Sequence, residues 1–244
     1  MNEHRLNCLH ESRNGMNYLF YCSLVVCSAL ALAQNAPIDC KPTTPLGKQS
    51  RSELKHRKPG PGIPEVTTIP EVLNWQQPAG LSSRVVRASN NAIDDRENKV
   101  YVVDGNLWRV GLEGNDCDLH LELSDPGKGK STDRVIVEIP QEYASTRDEL
   151  LALLPERERS RITNARPNSK GNYRPVNLTS SLRIRVTGYA FYDAYHYLAR
   201  WQTSKPGRCD SSPEQLHQRG KNHGTCNVGT IWELHPVWKV ERLR

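Results

Sequence analysis

The chain has 244 residues, enough for one or two domains, and 36% of them are hydrophobic. Its formal charge of +6 gives only a mild attraction towards anions such as nucleic acid, acidic glycans or a membrane surface, and reads mainly as solvated surface. H-E-x-x-H, G-x-S-x-G and a phosphate-cradling glycine loop are all missing, which excludes those signature chemistries.

The first element is a targeting signal. Tyr18–Ala33 (YLFYCSLVVCSALALA) is an apolar run of signal-peptide size ending in the small-x-small pattern Ala31-Leu32-Ala33. It is too short for a membrane span, so residues 1–33 are read as a signal peptide, begun at Met1 or Met16, and the mature chain starts at Gln34. That chain is expected to be exported, periplasmic or secreted, with no transmembrane span. Removing Arg5, Arg13, Glu3 and Glu11 leaves the net charge unchanged. Cleavage leaves Cys40, Cys117, Cys209 and Cys226. In an oxidising compartment, without a C-x-x-C pair, these read as disulfides rather than metal thiolates. Cys209 and Cys226 lie between the last two strands and are expected to staple that connection, a contribution of roughly 3 kcal/mol for a loop of this size. Cys40–Cys117 follows by elimination.

Residues 34–83 are rich in Pro, Lys and Ser with little periodicity. They read as a disordered leader whose basic cluster, Lys48–Lys58, is solvated. Arg84–Glu97 is a transition. Strands are then predicted at Lys99–Glu113, Asp116–Ser124, Asp133–Pro140, Ser181–Asp193 and Thr230–Arg242. Gly105 suits a barrel corner in the first of them. The second alternates Leu119, Leu121 and Leu123 against Asp118, His120 and Glu122. The fourth alternates Leu182, Ile184 and Val186 against Arg183, Arg185 and Thr187. Between strands three and four, STRDELLALLPERERSR reads as one helix, with a Thr146/Glu149 capping box, a Leu150/Leu151/Leu154 stripe, and Pro155 ending or kinking it. The order β-β-β-α-β-β over residues 84–244 is that of an all-β, five-stranded OB-like barrel, a scaffold that binds oligonucleotides or oligosaccharides.

Onto that order fall Asp118, His120, Glu138, Asp193, His196, Glu233 and His235. In an OB fold the ligand surface comprises strands two and three with the loops joining strands one to two and four to five. The first five are therefore expected to converge, with Glu233 and His235 on the neighbouring strand, where Pro236 interrupts pairing. Histidines with carboxylates suit a divalent metal such as zinc or manganese, or general acid–base hydrolysis. They also suit a purely structural brace. Tyr189, Phe191, Tyr192, Tyr195, Tyr197 and Trp201 are a second candidate surface, since aromatics on an OB face stack on bases or sugars.

The runs DCDLHLELSD, VIVEIP, VTGYAFYDAYH and IWELHPV resemble a set of mostly uncharacterised bacterial exported proteins. Their pattern is D-G-D-x-H-L-x-L, an E-x-P strand, V-T-G-x-x-F-x-D-x-x-H and a terminal E-L-H-P-V, covering about residues 84–241 here. The resemblance implies that Asp118, His120, Glu138, Asp193, His196, Glu233 and His235 are recurring polar positions, and it implies no activity. Cys117 replaces the pattern's glycine, and a long insertion holding Cys209 and Cys226 follows His196. The resulting expectation is an exported OB-like binding module for a polar or anionic ligand, an oligonucleotide or a glycan. The alternatives are a metal-dependent hydrolase, such as a nuclease, and a structural envelope protein.

Overall fold

Strands that are apolar on one face need a partner surface or closure to hide it, and five strands of this chain close on themselves. The computed structural model describes residues 38–45, 48–49, 51–76, 78, 91–130, 133–193 and 228–244. The predicted signal run, His196, Cys209, Cys226, Tyr195, Tyr197 and Trp201 lie outside them. The strands are β1 (Glu65–Thr68), β2 (Val100–Leu112), β3 (Leu119–Ser124), β4 (Arg134–Ile139), β5 (Val176–Tyr192) and β6 (Val228–Arg242).

Their order is β1-β2-β3-β4-β6-β5, with β5 returning to pair with β2. β2 to β6 thus form a closed barrel, antiparallel except for the parallel β4–β6 pair. Three strands, a helical connection and two further strands in this pairing are the OB-like barrel read from the sequence. The inward side chains are those the alternation predicted. Leu119, Leu121 and Leu123 face Ile139, Val137 and Val135 across β3–β4, and Ile184, Val186, Trp232 and Leu234 complete the core. Among the described residues no helix is long and apolar enough to cross a membrane.

Several boundaries differ, each for a local reason. β5 begins at Val176 rather than Ser181, because Val176 and Leu178 are buried between exposed Asn177 and Thr179, an alternation hidden by its polar neighbours. Gly105 is not the site of the irregularity in β2, which lies between Leu107 and Arg109. It instead allows close approach: a Cβ there would stand 2.9 Å from that of Leu123, where the partner of β2 changes from β1 to β3. The single predicted helix is two, α3 (Ala144–Leu153) and α4 (Glu156–Thr163), split at Pro155. The Thr146/Glu149 capping box is not made. The helix starts earlier, and the buried Thr146 hydroxyl donates to the Trp238 carbonyl at 2.7 Å.

The largest correction concerns the leader. The described residues form one compact unit, and residues 51–76 pack on the barrel rather than trailing from it. α1 (Ser52–Lys55) buries Leu54, β1 runs parallel to β2, and α2 (Ile69–Leu73) buries Ile69 and Val72 completely. A capping box does form here: the Thr68 hydroxyl accepts from the Glu71 amide, and the Glu71 carboxylate accepts from the Thr68 amide. Its polar composition does not prevent folding, because this segment does not fold alone; it uses apolar surface that the barrel supplies. The predicted Cys40–Cys117 disulfide is present and closes 77 residues of chain, tying the segment's start to the β2–β3 turn.

Candidate functional site

On the outer face of β3, β4 and β6 the register sets His120 directly opposite Glu138. His235 reaches the same face from an irregular stretch of β6. Between Gly188↔Val237 and Ala190↔Leu234, β6 has one residue more than β5, as Pro236 implied. Gly188 admits this, since a Cβ there would lie 2.7 Å from the Pro236 carbonyl. Asp118 comes from the β2–β3 turn, which is held three ways. Cys117 carries the disulfide, its carbonyl accepts from Arg147 Nη1 at 2.9 Å, and its φ of 68° is left-handed. That is a conformation glycine adopts without steric cost.

The side chains form a chain of contacts running inward. His120 Nδ1 lies 3.2 Å from Glu138 Oε1, Glu138 Oε2 lies 2.8 Å from His235 Nδ1, and His235 Nε2 lies 3.2 Å from Asp118 Oδ2. Only the His120 end meets solvent, its side chain 16% exposed against 0% for His235 and Asp118. Neither ring nitrogen of His235 and neither oxygen of Asp118 makes a contact of hydrogen-bond geometry. A buried group left so costs about 1–3 kcal/mol.

The leader completes the cluster. Lys55 Nζ lies 3.6 Å from Asp116 Oδ2. Burial opposes its charge, but Glu138, Asp116, Glu233 and Asp118 outweigh burial and raise its pKa. For His120, burial is likewise overcome by the nearby Glu122 carboxylate, by the hydrogen bond with Glu138 and by the charges of Glu138 and Glu113, which push it up to about 10. His235 is raised against burial chiefly by the charge of Glu138. Glu138 is held well below the usual carboxylate range despite burial, by the charge of His235 and its close contacts with both histidines. Asp116 is pushed up by burial and by Asp118 and Glu138.

Two clefts flank this layer. One of about 490 Å³ is lined by Pro42, Pro45, His56, Asp116, Gln141 and Glu142. Its His56 lies 2.7 Å from Glu142 Oε1 and 2.9 Å from Gln49 Oε1. The other, about 220 Å³, includes Arg109, Glu113, His120, Asn172, Tyr173 and Pro175. Behind it, Glu122 receives Arg134 Nη1 at 2.8 Å and faces Arg109 Nη1 at 3.3 Å.

Of the predicted site residues, Asp118, His120, Glu138 and His235 come together, and Glu233, buried on β6, adds negative charge that acts on Lys55. Asp193 is buried, and its amide donates to the Ile231 carbonyl, two residues along β6 from Glu233. Tyr189, Phe191 and Tyr192 are buried, so they offer no stacking face. Sequence reasoning missed Lys55, His56, Arg109 and Asp116. The first two fell in the segment read as solvated, and their only signal was the short S-E-L-K helix start.

No known family model matches the chain, and no curated protein or solved structure matches it at a level that would indicate a relationship.

Proposed function

We propose that this protein is an exported binding module that takes a sugar-sized polar ligand, with at most one negative charge, in the cleft beside His120. The observation that carries this is the cleft's lining on the β2–β3 side of the barrel. Arg109 brings a permanent guanidinium, His120 and Asn172 bring hydrogen-bonding groups, Tyr173 an aromatic ring, and Glu113 a half-exposed carboxylate. In the order of the barrel these are its first and second strands with the loop that joins them, beside the second- and third-strand face on which OB-type barrels take oligonucleotides and oligosaccharides.

Size and charge choose between those two. At about 220 Å³ the cleft is smaller than the roughly 300–1,000 Å³ of sites for drug-sized molecules, and suits one ring. Glu113 at its rim would repel a phosphodiester backbone but accept hydrogen bonds from hydroxyls. Export is supported by the apolar run ending in Ala31-Leu32-Ala33 and by the Cys40–Cys117 disulfide, a bond that persists in oxidising compartments.

The test is titration of isotope-labelled protein with glucuronic acid, glucose and a short oligothymidylate. Glucuronic acid should shift the amides of Gly111, His120, Asn172 and Tyr173, and Arg109→Ala should remove the response without changing the melting temperature by more than a few degrees. Shifts from the oligonucleotide alone, or from none of the three, would sink the proposal.

A further inference from the structure

We propose that the buried face beneath the cleft is a metal site, in which Asp118 and His235 hold one divalent transition ion and Glu138 positions the imidazole. This goes beyond the sugar-binding reading and does not depend on it.

Asp118, Glu138 and His235 each offer an atom within 4.8 Å of the others, and all three residues are buried. Both Asp118 oxygens and both His235 nitrogens lack a partner of hydrogen-bond geometry, which in a folded interior calls for an explanation such as an ion. The spacing then selects the pair. Zn–N and Zn–O bonds of about 2.0–2.2 Å at tetrahedral angles set donors roughly 3.3–3.5 Å apart. His235 Nε2 and Asp118 Oδ2 stand 3.2 Å apart, whereas Glu138 Oε2 is 2.8 Å from the opposite nitrogen, Nδ1. A metal-bound imidazole characteristically has a carboxylate on its other nitrogen, fixing tautomer and ring orientation. Glu138 is in that place, and its second oxygen is anchored by His120. Asp118, with both oxygens unbonded, can supply two donors, and imidazole with carboxylate suits zinc or its neighbours rather than calcium.

Lys55 is the competing cation. Its ammonium is nearest Asp116 and feels the charges of Glu138, Glu233 and Asp118. It should therefore weaken metal binding without occupying the space between Asp118 and His235.

The experiment uses the full mature chain, stripped with chelator and titrated with ZnCl2 by calorimetry, with bound zinc counted by elemental analysis. One Zn2+ per chain is expected, and Co2+ in its place should give the visible absorption of a tetrahedral site. Asp118→Asn should abolish stoichiometric uptake, Glu138→Gln should weaken it about 10–100-fold, and His56→Gln should leave it unchanged. Lys55→Met should tighten it, by roughly tenfold, because it removes a nearby like charge. This gain keeps the proposal testable if Asp118→Asn does not fold. Trace uptake by the unaltered chain, uptake indifferent to Asp118→Asn, or uptake weakened by Lys55→Met would each overturn the site.

Discussion

Two arginine–carboxylate pairs separate the leader from the barrel wall. Arg51 of the leader meets Glu97 with both nitrogens, at 2.8 and 2.7 Å, and is buried with it. Arg185 on β5 meets Asp104 on β2 just as squarely, at 2.7 and 3.0 Å, but its side chain is 44% exposed. The geometry is the same and the surroundings are not. Arg51 also donates to the carbonyls of Tyr192 and Asn91, and Glu97 accepts from the amides of Tyr192 and Ile93. One ion pair thus fastens the leader, the approach to β2 and the end of β5. Arg185–Asp104 fastens only two strands already joined by their backbones. A basic segment resembling solvated tether is therefore the clasp of the molecule, and an equally well formed pair on a regular strand is ornament on its surface.

The sharpest way to break this comparison is Arg51→Met. It leaves Glu97 charged and buried, so it should cost about 3–5 kcal/mol, a fall of roughly 10 °C or more in melting temperature for a domain of this size. Circular dichroism melting checks it, and a fall of only a degree or two would mean that the leader is not fastened there. Next in size is Cys40→Ser, which frees the leader's start from the β2–β3 turn. A loss of roughly 2–4 kcal/mol is expected, read from urea unfolding, and reduction of the unaltered chain should reproduce it. An unchanged urea midpoint in both would place the leader's attachment wholly in the Arg51–Arg57 contacts. The smallest effect belongs to Arg185→Met, at about 0.2–1 kcal/mol and diminishing with salt. A loss equal to that of Arg51→Met would dissolve the distinction altogether.

The contrast also explains what could be read in advance. The T-x-x-E signature occurs at Thr68 and at Thr146, and only the first makes a capping box. Near Thr146 the helix begins earlier and β6 offers a carbonyl that takes the hydroxyl. A local signal holds where nothing distant competes for the same group.

For the barrel, the chain's own periodicities were sufficient. Alternation of leucine with polar residues in β3, the order of strands around one helical connection, and Pro236 after His235 determined the faces, the topology and the irregularity in β6. They are local because a strand has only two faces and a proline cannot donate to the ladder. The candidate site was half legible for the same reason: once the register was known, His120 and Glu138 had to be neighbours, while His235 was placed only on the neighbouring strand. Only the tertiary structure decided that this face lies under a second layer, and that Lys55 and His56 enter it from a segment some sixty residues earlier in the chain than His120. Whether a charge is solvated or buried depends on which surface arrives to cover it, and that follows from packing between distant parts of the chain rather than from neighbours in sequence.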